Sequence, residues 1–447
     1  MKHLKQTFFL VLLLGFTGLL QAQSLDRLYI LNEGAFGNSN ASVTLFETAD
    51  QSVTQNQFAA VNGRPLGDIV AHSEIIDGKL YILVSNSNKI EIVDPHTLAS
   101  EGVILFEENE AASPMHFVVV NQTMYVANLF ANSITVVDLE TIEVTETIEV
   151  GMSQENITYS NGHLYVVITN FGDGNTVAVV SVDSHEVVDT IEVHDNPRRI
   201  LTDSEGLVWV VCTGDLGFDE DWNYDPDLET FGEIHIIDPQ TNEVVEIIET
   251  GGHPTTFLIH EAEGLGYLLN SGIQVVDLIN KEVRETKLSE TTFYSLGLWI
   301  GDEPMIFGGV VQDFSSAGTV EILNLNGEVQ HTFTAGIGPA VYQAVSGEPT
   351  SIVETDLPNS TTLAQNYPNP FNPGTIVPFT LQERNEIRLE VFDMLGRKVA
   401  VLADGLYDAG SHEVRFDARD LSSGVYLYRL SIPAEGISIT QTMTLLK

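Results

Sequence analysis

MYVANLFANSITVVDLETIEVTETIEV, Met124 to Val150, sets the pattern for most of the chain. MYVA alternates like a strand, ANLFANS is built of loop residues, SITVVD is a second strand, LET turns the chain, and VTETIEV alternates again. The unit begins again at Leu28, Leu80, Leu164, Val208, Gly266 and Met305, with LYIL, LYIL, LYVV, VWVV, GYLL and MIFG, which makes seven copies. Six carry an aromatic in second place: Tyr29, Tyr81, Tyr125, Tyr165, Trp209 and Tyr267. The next strand ends in Glu47, Asp94, Asp138, Asp238 or Asp277 in five copies, and in Ser181 or Asn324 in the other two. Copies start 39 to 58 residues apart, the period of four-stranded propeller blades, and no stretch sustains a helical period. The expected fold is all-β, a seven-bladed β-propeller over residues 25–346.

The fourth strand of each blade falls before the next copy, usually opened by proline at Pro65, Pro114, Pro197, Pro254 or Pro339, where no ladder donor is lost. PAVYQAV after the last copy has no partner, and LDRLYIL opens the first copy directly with a second strand. Pairing the two closes the ring with strands from both ends.

Residues 1–22 carry Lys2 and Lys5, then an apolar run from Phe8 to Leu20, which reads as a secretory signal peptide. No other segment approaches the roughly 20 apolar residues of a membrane-spanning helix. Cys212 is the only cysteine, so there is no intramolecular disulfide, and its place in VWVVC marks a small buried residue. With 63 acidic against 19 basic residues and a formal charge of -44, the chain is a poor partner for nucleic acid. The scattered acids suit salty surroundings, where their mutual repulsion is screened.

The loops between the first two strands of each copy belong on one face. Asn32, Asn86, Asn128, Asn170 and Asn270 open five of them, as turn residues that tolerate left-handed backbone angles. Phe36, Phe130, Phe171, Phe218 and Phe314, with Trp222 and Tyr224, stand among Gly, Asn, Ser and Asp. Several half-exposed rings would form a patch of roughly 300–400 Å², enough to bind something flat or sugar-like. Asp68, His116, Asn156, Arg198, Arg199, His253 and Tyr294 lie near the starts of the prolyl strands and are candidates for the mouth of the central channel. Paired Arg198 and Arg199 would clamp a carboxylate or phosphate, or salt-bridge to nearby acids. Asp219, Asp221, Asn223, Asp225 and Asp227 alternate through an acidic insertion and offer calcium ligands, although Tyr224 replaces the turn glycine of an EF-hand and Thr230 its final acid. No GxSxG, HExxH or phosphate-loop pattern occurs, and no residue is assigned to catalysis.

Residues 347–362, GEPTSIVETDLPNSTT, read as a linker. Beyond it, residues 363–447 hold six or seven short alternating segments with Gly turns, expected to form a small Ig-like β-sandwich. YPNPFNP, VFDMLGRKV, SGVYLYRL and a short last strand ending in Lys447 give this tail a specific resemblance to the type A C-terminal sorting domain of type IX secretion cargo. That resemblance implies export through the inner membrane by the leader and through the outer membrane by the tail, with the type IX machinery as partner. The protein would then be secreted or held on the outer surface. The repeats resemble the YncE-like seven-bladed family, and LYILNEGAFGNSNASVTLF is similar to surface propellers of which some bind corrinoids. The expected function is binding of a corrinoid- or glycan-like ligand or a protein partner through the loop face. Alternatives are a calcium-dependent propeller hydrolase or lactonase, with acids and amides converging on the channel, and a structural adhesion module.

Overall fold

The computed structural model describes residues 24–107, 113–219, 223–346 and 361–446, apart from 383, 395, 408–409, 420 and 435–436. The leader, most of the linker, Asp221 and Trp222 lie outside these. The described chain is all-β, with 57% strand and 4% helix, and is propeller-like. Between Arg27 and Val345 it forms seven antiparallel four-stranded sheets, numbered here in chain order. The second to seventh sheets each use four consecutive strands, while the first is completed by the last strand of the region, Pro339–Val345, paired with Arg27–Asn32. That is the closure expected from the unpartnered PAVYQAV.

The innermost strands meet in succession. Val70–Ile76 lies against Pro114–Val120, then Gln154–Ser160 and Pro197–Thr202 follow; Thr256–His260, Ser295–Trp299 and Pro339–Val345 continue back to Val70–Ile76. Arg199 spans the remaining step, from the fifth sheet to the sixth, with Nε donating to the Thr255 carbonyl at 3.4 Å. The core is divided in the same way, into seven apolar clusters that each fill the gap between two neighbouring sheets. The last of them joins Phe307 and Val320 to Leu28 and Phe46, so no sheet face is left uncovered at the seam.

The recurring residues have local reasons. All six second-place aromatics are buried between sheets. The aspartates that end the third strand cap the turn after it: Asp138 Oδ1 accepts the Glu140 and Thr141 amides at 2.8 and 3.1 Å, and Asp277 Oδ1 accepts those of Ile279 and Asn280 at 3.0 and 2.9 Å, whereas Glu47 pairs with Arg27 at 3.4 Å. Asn324 substitutes for an acid by the same means, accepting the Asn326 and Glu328 amides. Acceptance of turn amides by a short side chain is what the position requires.

The loop asparagines depart from the expectation of left-handed turns. Only Asn170 of the five has positive φ. Asn32 and Asn128 are fully buried at strand ends, and the Asn128 amide donates to the Ser133 carbonyl at 2.9 Å and Thr135 Oγ1 at 3.1 Å. Their amides tie the second strand to the third instead of shaping the loop.

Seven strands make up the tail in two antiparallel sheets, Thr362–Leu363 with Gly374–Leu381 and Gly410–Asp417, and Lys398–Tyr407 with Asn385–Asp393, Gly424–Ile432 and Ile437–Leu445. Phe379 and Phe416 from the first pack with Leu389, Tyr428 and Met443 from the second. No helix among the described residues is long and apolar enough to cross a membrane.

Candidate functional site at the channel mouth

The first five innermost strands share an unusual beginning. The residue before each has positive φ: Gly338, Ile69, Ser113, Ser153 and Asn196. A register irregularity follows within two or three residues in every case. A bulge adds an unpaired residue and re-aims the side chains beside it. At the bulges of the fourth and fifth sheets, Arg198 donates from Nε and Nη2 to Glu155 Oε2, both at 2.8 Å. Immediately beyond the bulge stand His72, His116 and Arg199, on the second, third and fifth sheets, with Asn156 inside the irregularity of the fourth.

His72 and His116 stack, with ring centroids 3.8 Å apart and planes 33° from parallel. Burial, then the Arg199 charge, pushes His72 down to about 3; burial, then His72 and Arg199, pushes His116 well below its usual range. Arg199 stands on an innermost strand, crowded by its neighbours, and is exposed to solvent. The arginines therefore divide the two expected roles: Arg198 is salt-bridged, and Arg199 takes part in no ion pair among the described residues. Two imidazoles, an amide and a guanidinium converge here, whereas a calcium-dependent hydrolase calls for acids and amides.

Above this level Glu33 receives the Tyr294 hydroxyl on both oxygens, at 2.8 and 2.9 Å, and Phe314 stands edge-on to Tyr294 at 5.3 Å. Burial raises Glu33 to about 7, and the Tyr294 hydrogen bond lowers it only in part. An acid raised in the fold is favoured there in its neutral form. Its contribution is therefore intact below pH 4.5 and lost as pH climbs to 7. Glu33→Gln should match the wild type in denaturant titrations at pH 4 and exceed it by roughly 1–2 kcal/mol at pH 8, allowing for screening at the wet mouth. Equal stability at pH 8 would refute the assignment.

The aromatic candidates lie on the surface. Phe36, Phe130, Phe171, Phe218 and Phe314 are 78%, 60%, 58%, 47% and 53% exposed, so none is consumed by packing onto a neighbouring sheet. Phe130 and Phe171, from the third and fourth sheets, stack at 5.8 Å, and Phe218 meets Tyr224 edge-on at 6.0 Å. The other mouth candidates are engaged: His253 between the Thr213 carbonyl and Glu229, each at 3.1 Å, and Asp68 by Asn86 and the Gly37 amide. In the acidic loop Asp219 accepts the Asn223 backbone amide at 2.8 Å and its side-chain amide at 3.3 and 3.2 Å, while Asp225 accepts the Asp227 amide at 3.0 Å. Among the described residues no three His, Cys, Asp or Glu side chains cluster closely enough to hold a metal.

A second polar centre, not anticipated from the sequence, joins the tail to the second sheet. Lys89 Nζ donates to Tyr367 Oη at 2.6 Å and lies 3.5 Å from both Glu91 and Glu413. The Arg64 guanidinium lies 3.6 Å from the Tyr367 ring centroid and forks onto Glu91. Tyr367 begins the YPNPFNP motif. Beside this contact a polar cavity of about 960 Å³ separates Asp68 and Asn86 from Arg415 and Arg419.

Two family models match separate parts of the chain. Residues 26–218 match the model of a family described as a domain of unknown function, DUF5074, and residues 365–443 match that of the secretion system C-terminal sorting domain. The second match marks the protein as cargo of the type IX machinery, exported to the cell surface or the extracellular space. No curated protein matches. Solved structures similar to the chain include apo AztD from Citrobacter koseri, at 11% identity over 74% of this chain and 100% of that one, with a TM-score of 0.47. Kuenenia stuttgartiensis hydrazine synthase is 17% identical over 56% of this chain and 74% of its own, with a TM-score of 0.45. The dihydro-heme d1 dehydrogenase NirN gives 12% over 72% and 76%, also at 0.45. At these scores the likenesses carry no argument about activity.

Proposed function

We propose that residues 25–346 are a seven-bladed, YncE-like propeller and that residues 363–447 are its Ig-like sorting domain, joined by the linker 347–362 and preceded by the leader 1–22. The propeller is a binding module displayed outside the cell. Its loop face takes a small corrinoid- or glycan-like ligand or a protein partner. The observation that carries this reading is the set of exposed phenylalanines on the loops that border the channel, above all the Phe130–Phe171 stack. Exposed rings of this size cost solubility, and a flat apolar or sugar surface is the partner that would cover them. The acidic loop, including Asp219 and Asp225, closes on itself through amide donors, which supports a self-contained loop in preference to a calcium site.

Native mass spectrometry of the exported protein from its own outer-surface fraction tests the reading. A retained organic ligand is expected, and Phe130→Ala with Phe171→Ala should weaken its binding by roughly tenfold or more, as for aromatic anchors at interfaces. Thermal stability should be nearly unchanged, because both rings are exposed. Undiminished binding by the double variant would move the site elsewhere, and a ligand-free protein would favour an adhesion module.

A further inference from the structure

Arg199 makes no ion pair among the described residues, in a chain that has 63 acids and 19 bases, and the acid that acts on it, Glu155, is held by Arg198. Its neighbour takes Glu155 through two donors, whereas Arg199 reaches only a main-chain carbonyl at 3.4 Å. Around it His72 Nε2, His116 Nδ1 and Asn156 Oδ1 are buried atoms without a hydrogen-bond partner among the described residues, and Asn156 as a whole is 3% exposed. A buried polar atom left unpaired costs about 1–3 kcal/mol, so three on neighbouring innermost strands leave hydrogen-bonding capacity for a polar partner. Ile69, Ser113, Ser153 and Asn196 adopt positive φ where these strands begin, and the bulge that follows each re-aims the side chains beside it.

We propose that this level of the channel is a seat for one small oxyanion, a carboxylate or phosphate group, gripped by the Arg199 guanidinium, with His72, His116 and Asn156 completing its hydrogen bonds. The sign of the ligand follows from the guanidinium: a cation beside it would be repelled, while an oxyanion would pair with a charge that has only a share in Glu155, which Arg198 holds. Both imidazoles are held neutral by burial and by Arg199, so each offers one N–H and one lone pair without adding charge. The Asn156 amide presents either end after a half-turn, which serves an anion that carries a hydroxyl as well. The inference rests on the reading of this face as a binding face and names the group that its ligand presents to the channel.

Calorimetric titration of the full exported chain with inorganic phosphate, and separately with succinate, decides it. Saturable binding at one site is expected, with each anion displacing the other. Arg199→Gln should weaken it by roughly tenfold or more. Without added anion this variant should melt no lower than the wild type, since a guanidinium without an ion pair of its own has been removed; a purely structural arginine would show the opposite. Arg388→Gln, on the tail surface, should change neither property. The proposal falls if neither anion binds saturably at about 10 mM, a weak-binding limit, or if Arg199→Gln binds as well as the wild type. It also falls if zinc is taken up instead and held more tightly by Arg199→Gln. Should phosphate fail while the native ligand is retained through Phe130 and Phe171, the binding-face reading stands and the oxyanion seat does not. Phosphate binding to a protein that retains no native ligand would uphold the seat and remove the binding-face reading.

Discussion

Glu91→Ala should lower the stability of the full chain by about 3–5 kcal/mol, the usual cost of removing one partner from a buried ion pair. Glu91 and Lys89 are both 0% exposed and Arg64 is 8% exposed. Glu91 receives the Arg64 fork, the Ser100 hydroxyl at 2.6 Å and Lys89 at 3.5 Å. Burial works to raise this carboxyl, yet Arg64 and Lys89 together hold it below the ordinary range. Without Glu91 two buried cations would share Glu413, a residue of the tail. Denaturant titration measures the loss, and the double variant Arg64→Met, Glu91→Leu supplies the control. Removing both charges should be milder than removing one, because no uncompensated ion remains. A single variant within about 1 kcal/mol of the wild type would show that water already reaches the cluster.

The second large effect is expected at the ring seam. Asn32 is fully buried where the first sheet pairs with the last strand. Its amide nitrogen donates to the Ile30 and Ser42 carbonyls and Ser42 Oγ, each at 3.2 Å, and to Thr44 Oγ1 at 3.1 Å; its oxygen accepts the Gly336 amide at 3.0 Å. Gly336 permits that approach: a Cβ there would lie 2.6 Å from Ser42 Oγ and 2.7 Å from the Asn32 side chain. Asn32→Leu keeps the branched shape at a larger volume but strands the Gly336 N–H and removes the donor to the Ser42 groups, while Thr44 keeps Gln55, so a loss of about 2–4 kcal/mol is expected. Hydrogen exchange should show the extra opening concentrated in Arg27–Asn32 and Pro339–Val345. Uniform loss of protection around the ring would mean that the seam is no weaker than other sheet contacts.

The repeat is legible in the chain because its causes are local. Alternation, a buried aromatic and an acid that caps a turn each depend on a few neighbouring residues, so LYIL and LYVV report them directly. The tail motifs are legible for the same reason. The site is legible only in part. His116, Arg198 and Arg199 are marked by their place after a proline, but His72 follows no proline and carries no such mark. Superposing Val70-Ala71-His72, Pro114-Met115-His116 and Pro197-Arg198-Arg199 brings it out, since the three strands share one bulge. Glu33 gives no such signal, because its raised pKa comes from burial beside Tyr294, 261 positions away.

By itself, the sequence determined the strand order, the closure partner and the export address, all of which follow from short-range patterns. The tertiary structure decided which polar residues are free. Arg198 and Arg199 are adjacent and chemically identical, yet one faces Glu155 and the other enters the channel, because the bulge at this point of the strand places them in different surroundings. It also decided that Lys89, Arg64 and Glu91 are buried together beside Tyr367 and Glu413 of the tail. Burial and charge pairing depend on segments hundreds of residues apart, and no local pattern encodes that distance.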